Sequence, residues 1–180
     1  MSATALSALL TLSCAATAVD ARAQASSATC KPVIDANTKE ISTPHHGYST
    51  ETTSPKSAHS TTGETIWTGT ASFLLFNGKW MQTHMTPQAN LAQMQENLRN
   101  TKVYQCRRLP DASVDGVAAN VYSAHSESED AKTDTQLWVA KSSGLIVREE
   151  IDMYDDDAGP KRHISEHFDY KNVQPPPGVK

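Results

Sequence analysis

Aromatic side chains are scarce in this chain, 6% of 180 residues with three Trp and three Phe. The core is therefore expected to be modest. Basic clusters are lacking too. The formal net charge is −4, and Arg107-Arg108 and Lys161-Arg162 are isolated pairs that solvated strand ends explain. Nucleic acid, which is held through a stripe of Lys and Arg, is not an expected partner. No glycine-rich loop is present to cradle a phosphate, no Gly-x-Ser-x-Gly turn exposes a nucleophile, and no Cys-x-x-Cys offers a redox pair. Neither an enzyme nor a cofactor is expected. After the N-terminal segment no apolar run approaches the ~20 residues that a membrane-spanning helix needs.

What is present begins with residues 5–19 (ALSALLTLSCAATAV), apolar and without charge. That length suits the h-region of a signal peptide and is too short to cross a bilayer. Small-residue cleavage sites follow at Ala21-Arg22-Ala23 and Ala23-Gln24-Ala25. The expected cut lies after Ala23 or Ala25, although Met1 to Thr4 lack the usual basic residue. A buried helix of a cytosolic protein would show a polar face, and this run shows none. Cys14 raises a second reading, a lipid anchor, with Thr11 where a lipobox usually has Leu. The expected organisation is a signal peptide over 1–25, one β-rich domain over 26–173 and a Pro-rich flexible tail over 174–180. The expected compartment is the periplasm or the exterior.

Cys30 and Cys106 are the two cysteines of the mature part. In an exported chain an even count reads as a disulfide, and two cysteines allow one intramolecular pairing. Free thiols are the alternative.

Along the chain, residues 24–40 are polar and weakly patterned, with Val33-Ile34 as a candidate first short strand. Ile41 to Thr53 reads as a strand broken by Pro44, at a sheet edge. Residues 54–63 read as a loop. Glu64 to Thr68 and Thr70 to Phe76 are β-type runs. Asn77-Gly78 is a strong hairpin signal, with Lys79 to Thr83 returning beyond it and Trp80 and Met81 on opposite faces. Thr86-Pro87 opens the one clear helix, with Leu91, Met94 and Leu98 at helical spacing and the sheet as the surface it must cover. Strands follow at 102–109, 117–125, 134–141, 145–154 and 161–170. Turns stand at Asp115-Gly116, Ser126 to Asp130, Ser142-Ser143-Gly144 and Asp155 to Pro160. The expected fold class is mainly β (α+β), a curved antiparallel sheet or half-barrel meander with one amphipathic helix packed on it.

Three linked segments carry a resemblance: residues 114–122 (VDGVAANVY), 137–145 (LWVAKSSGL) and 168–173 (FDYKNV). Each is plain β-meander chemistry, with Gly at the tight turns and Trp and Tyr expected on buried faces. Together they resemble the periplasmic lipoprotein-carrier (LolA/LolB-type) superfamily, over residues 64–173. That resemblance implies an unclosed half-barrel with a helical lid, which in many members binds acyl chains or lipoproteins.

Metal and acid–base readings are weaker. His163 and His167 would chelate zinc on a helix, but the run reads as strand, where four residues span about 13 Å. His45 and His46 point to opposite faces if extended. Asp155-Asp156-Asp157 lacks the spacing of a calcium loop. Glu149, Glu150 and Asp152 beside Arg148 read as alternating charge on a solvent face. Trp67, Phe73, Phe76, Trp80, Met81, Leu91, Met94, Trp138 and Phe168 are candidates for core or groove. In the groove reading, Met81, Met94 and Trp138 are wall residues, with Leu91 and Trp80 beside them, because Met adapts to irregular apolar ligands. Two functions stand: a non-enzymatic binding module for a hydrophobic ligand or acyl chain, and a protein-protein interaction or envelope-associated module without a small-molecule ligand.

Overall fold

The structure, a computed structural model, describes residues 21–53, 60–129, 131–154 and 162–179. Helix α1 (Ala21–Ile41) leads into β1 (His45–Thr53), β2 (Ser60–Trp67), β3 (Ser72–Phe76) and β4 (Lys79–Thr83). Helix α2 (Pro87–Asn100) follows, then β5 (Val103–Val114), β6 (Val117–Glu127), β7 (Lys132–Ala140), β8 (Ile146–Tyr154) and β9 (Arg162–Asp169). All nine strands form one open, curved antiparallel sheet in the order β4-β3-β2-β1-β9-β8-β7-β6-β5. The expected mainly β half-barrel is the observed architecture.

Local chemistry accounts for the hairpins. Asn77 and Gly78 both hold positive φ, 50° and 72°, as do Asp115 and Gly116 at 49° and 82°. Two consecutive positive φ values match the right-handed twist of the joined strands. Helix α2 begins as its sequence dictates, with the Thr86 hydroxyl accepting from the Ala89 N–H and Pro87 in the first turn.

Residues 21–41 depart from expectation. They form a helix, not a short strand at Val33-Ile34, so the sheet carries two helices rather than one. Over residues 29–41, Cys30, Val33, Ala36 and Ile41 are buried, a helical spacing, while Lys31, Pro32, Asp35 and Lys39 face solvent. The Cys30–Cys106 disulfide fastens this face to β5. Packing and cross-link together override Pro32 and the β-branched pair. The expected cleavage positions fall in the first turns of α1, and residues 1–20 lie outside the described residues.

Strand β1 is also misplaced by the sequence reading. It starts after Pro44 and lies inside the sheet, between β2 and β9. Starting at His45 leaves every ladder N–H available, which removes the reason for an edge position. Strand β2 begins at Ser60, so residues 60–63 are strand rather than loop. The expected turn over 155–160 lies outside the described residues. In the tail, Pro176 is buried.

The inner face of the sheet is the one α1 covers. Val33 and Ala36 pack there against Ala124, Leu137, Val139 and Ile146, with Tyr104, Tyr122 and Phe168 at the margin. Trp67 closes one end, its indole N–H donating to the Ile41 carbonyl at 2.8 Å. Helix α2 lies beside α1 rather than flat on the sheet. Space is left beneath it.

Candidate functional site

The space is a cavity of about 170 Å³ bounded by α1, α2 and β5 to β8. Val33, Ile34 and Asn37 line it from α1, Met94 and Leu98 from α2, and Tyr104, Ala124, Ser126, Thr135 and Leu137 from the sheet. It continues outward past Met94 and Leu98 into a groove of about 380 Å³ between the helices, where Asn90, Gln93 and Asn97 supply polar rims.

Glu149 stands on the cavity floor. Alternation along β8 makes this unavoidable. Leu137 is its partner on β7, Glu166 its partner on β9, and Leu137 is fully buried. Arg148 and Glu150 point the other way and pair with each other at 2.6 Å. The solvent-face reading therefore holds for Arg148, Glu150 and Asp152 and fails for Glu149. The Glu149 side chain is half-buried and lines the cavity, and no hydrogen bond or ion pair holds its carboxyl among the described residues. Burial, and then the neighbouring Glu166 and Glu40 carboxylates, push it up to about 8. Glu166 is raised for related reasons, burial first and Glu40 second, against a smaller downward pull from His45.

His45 anchors the same region. It is buried at the start of β1, with Trp67, Phe168 and Tyr170 around the ring. Burial pulls its imidazolium down, but Glu40, 2.8 Å from Nε2, and the Thr43 carbonyl, 2.9 Å from Nδ1, outweigh that and raise it. Both ring nitrogens therefore have acceptors, the arrangement that suits the charged form. Tyr170 donates to the Ile146 carbonyl at 2.6 Å, and burial raises its phenol. Glu149 thus lines the cavity and Glu40 the outer groove, while Glu166 and His45 line neither.

The residues expected to form a groove separate. Met94 lines the cavity. Leu91 is half-buried on the same helix, one turn before it. Met81 is 46% exposed on the edge strand β4, near Phe76 at 56% and Met85 at 43%. Trp80 lies on the other face of β4, 6.0 Å from His46 between ring centroids. Trp138 is on the outer face of β7, under the Arg148 guanidinium at 5.1 Å. Tyr48 stacks between His46 and His167 on that outer face. Glu149, Glu40, His45 and Leu98 were not named as site residues. Glu149 was within reach, since alternation places it on the face of Ile151, opposite Arg148, Glu150 and Asp152. Among the described residues no three His, Cys, Asp or Glu side chains are grouped to hold a metal ion. No described helix is long and apolar enough to cross a membrane.

No protein-family model matches the chain, and no curated protein matches it. Solved structures do. LprF from Mycobacterium bovis is similar with a TM-score of 0.42 and 9% identity, over 82% of this chain and 95% of that one. The Mycobacterium tuberculosis lipoprotein LppX is similar with a TM-score of 0.41 and 12% identity, over 84% and 98%. A LolA superfamily protein from Nitrosomonas europaea is similar with a TM-score of 0.27 and 9% identity, over 81% and 95%.

Proposed function

We propose that the chain is an exported, non-enzymatic binding module that holds a hydrophobic ligand, such as the end of an acyl chain, between its helices and the inner face of its sheet. The observation that carries this reading is the cavity beneath Met94 and Leu98. At about 170 Å³ it is similar in size to an apolar cavity of about 150 Å³ that accepts benzene. Its adjoining groove gives a longer chain somewhere to run. The Cys30–Cys106 disulfide supports export, because such bonds persist in oxidising compartments.

Native mass spectrometry of protein purified from a bacterial periplasm, followed by organic extraction, tests the reading. An apolar adduct is expected, reduced in Leu98→Trp, where the new ring occupies the cavity. A ligand-free mass, with no uptake of added fatty acids or alcohols, would overturn it. A second reading, an interaction module, is favoured by one observation: Phe76, Met81 and Met85, on and just beyond the edge hairpin β3–β4, are exposed.

A further inference from the structure

We infer that the groove selects a ligand bearing a protonated amine, seated against Glu149 with its aliphatic part along Val33, Met94 and Leu98. This rests on the groove reading above and adds the charge of the ligand to it.

Three observations converge. First, the Glu149 carboxyl faces the cavity without a partner among the described residues. A half-buried carboxyl without a protein partner leaves its oxygens open to a donor that a ligand supplies. Second, no Lys or Arg lines the cavity or its outer groove. The charged and titratable groups facing Glu149 are Glu40 from α1, His45 at the start of β1, Glu166 from β9, and the phenols of Tyr104 and Tyr170. Helix α2 contributes only neutral Asn90, Gln93 and Asn97 at the rim. With no basic side chain on either lining, an ionised Glu149 favours a cation over an anion there. Third, Val33, Ile34, Met94, Leu98 and Leu137 form an aliphatic side of the cavity beside the polar Asn37, Ser126 and Thr135, which suits a cation with an apolar body. At about 170 Å³ the inner cavity suits a short chain, and the rest of the ligand lies in the outer groove.

Binding has a proton balance. Near neutral pH Glu149 holds its proton, with folded-state titration centred at about 8. An ammonium arriving beside it displaces that proton to solvent and leaves an ammonium–carboxylate pair. The affinity for an amine therefore rises with pH up to that value, by at most about tenfold per pH unit.

The test is calorimetric titration of the full chain with hexylamine, hexanol and hexanoate, at about pH 6.5 and about pH 8.5. Hexylamine is expected to bind at least about tenfold more tightly than hexanol at the higher pH, with the margin narrowing at the lower pH and hexanoate binding weakest. Buffers of different ionisation heat should reveal proton release with hexylamine alone, a readout that needs no variant. Glu149→Gln should bind amine and alcohol alike and release no proton. Equal binding of hexanol or hexanoate by the unaltered protein, or a retained amine preference in Glu149→Gln, would overturn the inference and leave the groove reading standing. Binding of none of the three would overturn both.

Discussion

Glu149 of β8 and Glu166 of β9 stand directly opposite one another in the antiparallel register, both on the inner face of the sheet. Like charges so placed repel across the strand pair, and burial magnifies the effect. Both carboxyls are raised above the ordinary value, burial being the first cause for each.

That arrangement gives stability a sign with pH. The folded-state value of Glu149 is raised from an ordinary 4.5 to about 8, so between those values the folded chain binds a proton that the unfolded chain releases. Stability from this group is present at low pH and is lost as pH rises through the window, at up to ~1.4 kcal/mol per pH unit. Urea titrations across the window should show that decline. Glu149→Gln should flatten it, leaving a smaller slope of the same sign from Glu166 and His45, which are raised as well.

The pair of His45 and Glu40 should resist removal of either member. His45→Ala leaves the Glu40 carboxylate without its imidazole and opens a hole beside Trp67 and Phe168. A loss of about 3 kcal/mol is expected in denaturant unfolding. Glu40→Gln should lower the His45 titration midpoint, read by NMR, because the carboxylate that favours the imidazolium is gone while the burial remains.

Reduction of Cys30–Cys106, 76 residues apart in sequence, should destabilise by roughly 4 kcal/mol in the chain-entropy account. Unfolding midpoints with and without reductant check the size. Hydrogen exchange should locate the first loss of protection in α1, whose main seat is β5.

Trp138 and Arg148 lie across the sheet from the cavity. Trp138→Ala should cost about 0.5–1 kcal/mol from the lost cation–π contact, besides its packing. It should leave ligand uptake unchanged, whereas Leu98→Trp should reduce uptake with little loss of stability. Parallel unfolding and binding assays on the two variants separate the faces.

The legibility of this chain follows a physical divide. Strands β3 and β4 and helix α2 were readable because short-range chemistry settles them: a two-residue turn that needs positive φ, a capping hydroxyl, a proline in a first turn. Helix α1 was not, since its alanines, Pro32 and polar residues leave only a weak stripe at Cys30, Val33 and Ala36, and its stability comes from the sheet and the disulfide. The groove was misassembled for a similar reason. Trp80, Met81 and Trp138 are large and apolar, but strand alternation and position, not size, decide which face a side chain serves. The same alternation places Glu149 inside, against the habit of assigning carboxylates to solvent.

The anchorage of α1 also bears on how the chain assembles. The helix comes first in sequence, yet its buried side is completed by β5, β6 and β8, which come much later. A chain emerging from its N-terminus therefore carries Cys30, Val33 and Ala36 uncovered until more than half of it has appeared. Docking of the helix and closure of the cross-link are late events, and the groove comes into being only when they are finished.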